Sequence, residues 1–223
     1  SGLLMAYFQE LPNISYPSLL PNRNKIEDRI TVKNIFKRSK LRSDVDQSIT
    51  GFDYYYVQDQ QRPDVLAQEL YDDSELDWVI LTTNNIINIR DQWPLDSNEL
   101  HSYILEKYGS EENILATHHH ETRKIVDEFN RVVMPAGLEV DKNFTFKYRN
   151  YTNTIITVNP VIEITNYDYE NKLNEEKRRI KVLKPQYLGA FISEHKQIMN
   201  YGRSSDFISK RLKSTYNPRV SGV

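Results

Sequence analysis

The chain has 223 residues and a mass of 26.4 kDa, enough to bury a substantial core as one domain or two small ones. Its 29 basic residues are balanced by 31 acids, for a formal net charge of -2 and a pI near 6.2, which excludes a general electrostatic attraction to nucleic acid or anionic membrane. There is no cysteine, hence no disulfide or thiolate chemistry, and a mean hydropathy of -0.65 with no apolar run near the roughly 20 residues of a spanning helix excludes helical membrane insertion.

The start, "SGLLMAYF", is too short and uncharged for a signal peptide, and Met5 is a candidate native initiator. In the following "LPNISYPSLLPNRN", Pro12, Pro17 and Pro21 exclude a continuous helix and favour an extended path. Tyr7, Phe8, Leu11, Ile14, Tyr16, Leu19 and Leu20 make the segment too apolar for a solvated linker, so an arm lying against another surface is expected. Next, "TVKNIFKRSKLR" puts Val32, Ile35 and Phe36 at helical spacing beside Lys33, Lys37, Arg38, Lys40 and Arg42. This predicts a short basic amphipathic helix whose charged face is either simply solvated or a phosphate site.

"FDYYYV" has the composition of a strand, and "QRP" then starts a helix with Pro63 at its first position and Asp64 near the positive end of the dipole. Leu66, Ala67 and Leu70 form the inner face of that helix. "DDSEL" ends it and supplies Asp73 or Ser74 as the next N-cap, after which Leu76, Val79, Ile80 and Thr83 repeat at helical spacing. "NNIINI" is expected to turn and form a second strand, completing strand, helix, helix, strand.

Asp96 and Glu99 form a capping-box pattern for a helix through Tyr108, with Leu100, Tyr103, Ile104 and Tyr108 on one face and Gly109 as its left-handed stop. "NILATHHHETRKIV" and "FTFKYRNYTNTIITVNPVIEI" alternate and are rich in β-branched and aromatic residues, which predicts hairpins. "YDYENKLNEEKRR" reads as a charged helix and "RIKVL" as a strand. Pro185 opens a last helix with Leu188, Phe191, Ile192, His195 and Met199 on one side and Gly202 at its end, and the polar tail reads as a second arm.

The predicted class is α+β: a strand-helix-helix-strand unit, a strand-rich middle, a C-terminal helix and extended terminal arms. The expected divisions are 1–50 for the N-terminal arm with its basic helix, 51–109 for the two-helix unit and following helix, 110–184 for the strand-rich region with its charged helix, and 185–223 for the C-terminal helix and tail.

Residues with catalytic potential do not form a pattern. His118, His119 and His120 are consecutive, so on a strand their side chains alternate between faces and cannot jointly wrap one ion without a turn. The acids lie in charge-mixed contexts, and the glycines are isolated rather than grouped into a phosphate loop. No catalytic residue, metal or cofactor is expected. The residues expected to bind other proteins are Tyr7, Phe8, Tyr16, Leu19, Leu20, Ile35, Phe36, Trp78 and Trp93.

The order of elements with "YYYV…LAQEL…L…NNI" resembles the LysM module: Leu66 and Ala67 match its first helix, Leu76 its second, and Asn85 with Ile86 its exit. Arg62, Pro63 and Asp64 replace the Gly-Asp-Thr entry common in carbohydrate-binding LysM modules. A longer set of pieces resembles the LysM-containing baseplate wedge proteins of contractile-tailed bacteriophages. It comprises "NIFKR", "FDYYYVQDQQRPDVLAQELYDDSELDWVILTTNNI", "QWPL", the capped helix to Tyr108 and "NEEKRRIKVLKPQYLGAFISEHKQIM". The section from Glu111 to Tyr167 is longer and richer in strands than that resemblance leads one to expect.

The resemblance implies a non-enzymatic adaptor of the tail baseplate, assembled in the host bacterial cytoplasm and present in several copies per ring. Its implied partners are other wedge proteins and sheath- or hub-proximal tail proteins, without nucleic acid or membrane insertion, and its implied task is to join wedges around the hub. The LysM pattern and the 15 Tyr also admit a cell-wall glycan-binding module, and the His run a metal-dependent hydrolase.

Overall fold

The structure, a computed structural model, describes residues 7–18, 29–41 and 50–215, and its mixture of helices and strands makes the chain an α+β protein. The described residues fall into two compact units, one built from residues before 94 and after 178, the other from residues 94–178. No described helix is long and apolar enough to cross a membrane.

In the first unit, residues Tyr7–Glu10 make one helical turn (α1), and the prolines then hold an extended path through β1 (Asn13–Pro17). The N-terminal segment is not a free arm over these residues. β1 pairs antiparallel with β2 (Arg29–Lys33) and parallel with β12 (Leu212–Ser214), which pairs antiparallel with β11 (Phe207–Ser209), so part of the expected C-terminal arm is also sheet. The Arg29 guanidinium ties three strands together, donating to Ser15 Oγ at 2.8 Å, Ser15 O at 2.5 Å and Ser214 Oγ at 3.1 Å.

The helix expected from Thr31 is instead the strand β2 followed by a turn. Ile30, Thr31 and Val32 are β-branched and stiff, and the pairs Ile14↔Val32 and Tyr16↔Ile30 outweigh the weaker helical spacing.

β3 (Phe52–Tyr56) and α2 (Pro63–Tyr71) form as expected, with Pro63 in the first turn and Leu66 and Ala67 fully buried. Asp72 ends α2 in the left-handed conformation, and Asp73 caps a 3-10 turn at Ser74–Leu76 by accepting from the Glu75 N–H at 2.9 Å. α3 (Asp77–Thr83) buries Trp78, Val79, Ile80 and Thr83.

The strand that pairs with β3 does not come from "NNIINI". It is β10 (Arg179–Leu183), antiparallel, with Phe52 opposite Leu183 and Tyr56 opposite Arg179. The asparagines explain the correction, because their amides compete with a backbone ladder. Asn84 bonds both the N–H and the C=O of Lys181 at 2.8 Å, Asn85 turns left-handed at φ 55°, and Asn88 caps the short helix α4 (Ile89–Gln92). Residues 94–178 therefore intervene between the two-helix element and its second strand.

Phe52, Val57, Leu66, Ile80, Ile180 and Val182 belong to one core cluster, and Phe191 and Ile192 of α8 (Leu188–Ile198) pack against it. Each fully buried Leu or Ile contributes roughly 1.5–3 kcal/mol. The Tyr71 hydroxyl donates to Leu183 O at 3.0 Å, and burial pushes its pKa up to about 12. α8 stops at Ile198, before Gly202.

In the second unit, Asp96 caps α5 (Ser97–Tyr108) by accepting from the N–H groups of Asn98 and Glu99, each at 2.8 Å, and Gly109 closes it at φ 81°. Leu100 and Ile104 meet Ile114 of α6 (Glu111–Ile114) in a small core, while Tyr103, expected on this face, is exposed.

β4 (Thr117–Thr122) pairs antiparallel with β9 (Val161–Thr165). Between them lie two hairpins, β5 (Ile125–Val126) with β6 (Val132–Met134) and β7 (Phe146–Arg149) with β8 (Ile155–Val158). The charged helix α7 (Asn166–Arg178) buries polar groups that are all satisfied. Glu170 accepts from Lys107 Nζ at 2.6 Å and Tyr108 Oη at 3.0 Å, and Asn174 bonds the N–H and C=O of Leu95 at 2.8 and 3.0 Å.

Candidate functional site

The first unit carries a groove of about 560 Å³ whose apolar lining includes Tyr7, Phe8, Ile35, Trp78, Leu81 and Ile87, joined by Arg38, Glu75 and Asp77. α1 supplies the first two rings, which meet edge to face at 5.7 Å; the Tyr7 ring also lies 5.9 Å from Trp78 and 5.8 Å from His195. Burial raises the Tyr7 pKa, with Arg38 opposing, and burial likewise raises that of Asp77 against its bond to the Trp78 backbone. Arg38 also donates to Asn85 Oδ1.

A fixed turn presents the next two side chains. Asn34 Oδ1 accepts from the Phe36 N–H at 3.2 Å, while Asn34 Nδ2 donates to Tyr201 Oη at 2.9 Å. Lys37 Nζ donates to Asn200 O at 2.7 Å and sits 4.8 Å from the centre of the Tyr201 ring, where burial lowers its pKa. Ile35 and Phe36 remain 64% and 88% exposed on a turn that polar anchors hold in place.

A second cavity of about 290 Å³ is lined by residues including Leu41, Phe52, Phe191 and His195. His195 is buried; its Nδ1 lies 2.9 Å from Ser39 Oγ and its ring 4.5 Å from Trp78. Burial holds its pKa below the usual imidazole value, with Glu10 opposing and Arg211 and Lys196 adding to the effect.

Four of the nine residues expected to bind protein, Tyr7, Phe8, Ile35 and Trp78, line the same groove. Tyr16 is exposed on β1 and Phe36 lies beside Ile35, both away from the groove lining, and Leu19 and Leu20 lie outside the described residues. Trp78 and Trp93 are core residues, 4% and 7% exposed. Trp93 Nε1–H is satisfied by Gln61 O at 3.0 Å. Sequence reasoning missed Ile87 and Ile89, which border the groove from the Asn-rich exit; their apolar side chains were assigned to a strand that does not form.

The histidine run also differs in detail from strict alternation. A register shift in β4 between Thr117 and His119 brings the Nδ1 atoms of His118 and His119 to 2.8 Å, and His118 stacks on Tyr169 at 4.0 Å. His119 reaches Glu121, whose carboxyl is held below its ordinary range by hydrogen bonds from Lys172 and His119. Among the described residues no group of His, Asp and Glu could hold a metal ion.

The site is therefore a surface of exposed apolar side chains on polar-anchored turns, suited to covering by another macromolecule. No curated protein matches the chain. A family model described as base plate wedge protein 53 matches residues 4–198, most of the sequence, and the chain belongs to this family of phage baseplate wedge proteins.

Proposed function

We propose that this chain is a non-enzymatic adaptor that binds neighbouring wedge proteins and helps join wedges into the ring around the hub. Several copies per ring, contact with sheath- or hub-proximal tail proteins and assembly in the host cytoplasm are parts of the same reading. The observation that carries it is the Ile35–Phe36 turn beside the groove: two large apolar side chains stay exposed although polar bonds fix their backbone. A fixed turn loses little conformational entropy on binding, so such side chains can serve as anchors. Contacts from several surfaces of one body raise effective concentration, and no one contact need be strong.

Deleting the N-terminal segment would remove β1, an interior strand of the sheet, so substitution is the cleaner experiment. The variant Ile35→Ala with Phe36→Ala is expected to keep its fold by circular dichroism but to fail to enter baseplates assembled from purified wedge proteins, as read by sedimentation. Incorporation at the unsubstituted level overturns the assignment.

A further inference from the structure

The two hairpins of the second unit end in turns built on one plan. In "DEFNR", Asp127 Oδ1 accepts from the N–H groups of Phe129 and Arg131, each at 2.9 Å, and Asn130 stands left-handed at φ 60°. In "NYTNT", Asn150 Oδ1 accepts from Thr154 N–H at 2.8 Å and Thr152 Oγ1 at 2.7 Å, and Asn153 stands left-handed at φ 62°. In both, the backbone N–H of the left-handed Asn donates to the carbonyl three residues earlier, at 2.9 and 3.0 Å. Asx side chains and left-handed asparagines lock such turns without a surrounding core.

Each turn carries one aromatic residue, and the two meet. The rings of Phe129 and Tyr151 are 6.0 Å apart at 77°, edge to face, although the residues are 61% and 70% exposed. The Arg131 guanidinium lies 5.3 Å from the centre of the Phe129 ring and pairs with Asp127 at 2.7 Å. Neither ring belongs to the small core of Leu100, Ile104 and Ile114. Two exposed aromatic side chains on preorganised turns are the makings of an interface hot spot: large contact area with little rotamer freedom left to lose.

The surroundings indicate the partner. In an acidic chain, the stretch 123–159 is locally basic: Arg123, Lys124, Arg131, Lys142, Lys147 and Arg149 outnumber Asp127, Glu128, Glu139 and Asp141. Asp127 pairs with Arg131, which leaves five cations against Glu128, Glu139 and Asp141 over the stretch, with Lys147 and Arg149 on the β7 strand leading into the second turn. Electrostatic complementarity then favours an apolar cleft with a negative rim.

We propose that the paired turns form a docking tip that binds a neighbouring baseplate protein, one presenting an apolar cleft rimmed by Asp or Glu carboxylates. This rests on the adaptor reading and gives a role to the section that the family resemblance left without one.

The test uses the full chain in tail particles assembled with its cognate phage proteins, with p-benzoylphenylalanine at position 129 or 151 and, as reference, at position 36. Irradiation is expected to join positions 129 and 151 to a different baseplate protein, at a peptide containing acidic and apolar residues. An adduct from position 36 with none from 129 and 151 overturns the docking tip and leaves the adaptor reading standing. An adduct only to another copy of this chain overturns the proposed occupant, and absence of the chain from the particles overturns both proposals. Against the cross-linked neighbour in purified form, Phe129→Ala with Tyr151→Ala is expected to bind about thirtyfold more weakly. Arg149→Glu is expected to weaken binding as well; unchanged affinity in both variants overturns the tip.

Discussion

The two units hold together by different means. The first packs Leu66, Val79, Ile80 and Val182 into a continuous apolar cluster, whereas the second has three buried apolar residues in its cluster and relies on buried polar groups and locked turns. Apolar packing is non-directional and tolerates exposed loops at its margin; hydrogen-bonded turns are directional and fix a side chain without burying it. The first arrangement suits a stable body and the second suits rigid, exposed contacts.

The contrast is easiest to break in the first unit. Leu66→Ala or Ile80→Ala removes a fully buried side chain and is expected to lose about 2–5 kcal/mol through the cavity left behind. Hydrogen exchange should show lost protection in α2, α3 and β10 while the turns of the second unit are unaffected. A negligible change would mean that these residues do not carry the core.

In the second unit the corresponding weak point is polar. Glu170→Ala strips the acceptor from Lys107 and Tyr108 and is expected to lose about 1–3 kcal/mol. The Lys107 side chain is 43% exposed, so solvent screening keeps the ion pair itself a minor part of that loss. Glu170→Gln still accepts from the Tyr108 hydroxyl and should lose less. Chemical denaturation followed by hydrogen exchange in α5 and α7 measures both, and equal losses would show that the charge, not the acceptor, matters.

A smaller effect is expected at the turns. Asn130→Ala or Asn153→Ala places an ordinary side chain in a left-handed conformation and should lose about 1 kcal/mol, while the corresponding Gly variants lose less. Exchange of the turn amides, followed by mass spectrometry, reports it; an Ala variant as protected as the Asn parent would show that the turn is not held by this backbone preference.

Where the sequence was legible, the signal was local. Pro63, Asp73, Asp96 and Gly109 mark helix ends through their own chemistry, and Leu66, Val79 and Ile80 mark a buried face through spacing alone. The partner of β3 was illegible because pairing across residues 94–178 leaves no mark in the short stretch beside it. β2 was misread because three helically spaced apolar residues looked stronger than a β-branched pair whose partner lies on another strand. For the groove, Tyr7, Phe8 and Ile35 were visible as excess apolar side chains and Trp78 as a neighbour of the buried helical stripe, but the burial of Trp93 depended on packing that a single sequence does not display.

The smallest predicted effect tests whether the body of the first unit is as dry as its packing suggests. His195 lies between Tyr7 and Trp78 with Nδ1 bonded to Ser39, and its Nε2 has no hydrogen-bond partner among the described residues. Burial is the main reason its pKa lies below the ordinary imidazole value of about 6.5; Glu10 raises it, and Arg211 and Lys196 lower it further. With the folded pKa below the unfolded one, falling pH protonates the unfolded chain first, so the stability from a neutral His195 is complete above about 6.5 and is lost progressively below it. Denaturation midpoints of the first unit should therefore fall between pH 7.5 and 5.5, a window above the usual carboxylate range, and His195→Phe should flatten the decline. A parent protein as stable at the lower pH as at the higher would mean that the buried ring accepts its proton in place, as a wet or charge-compensated core would permit.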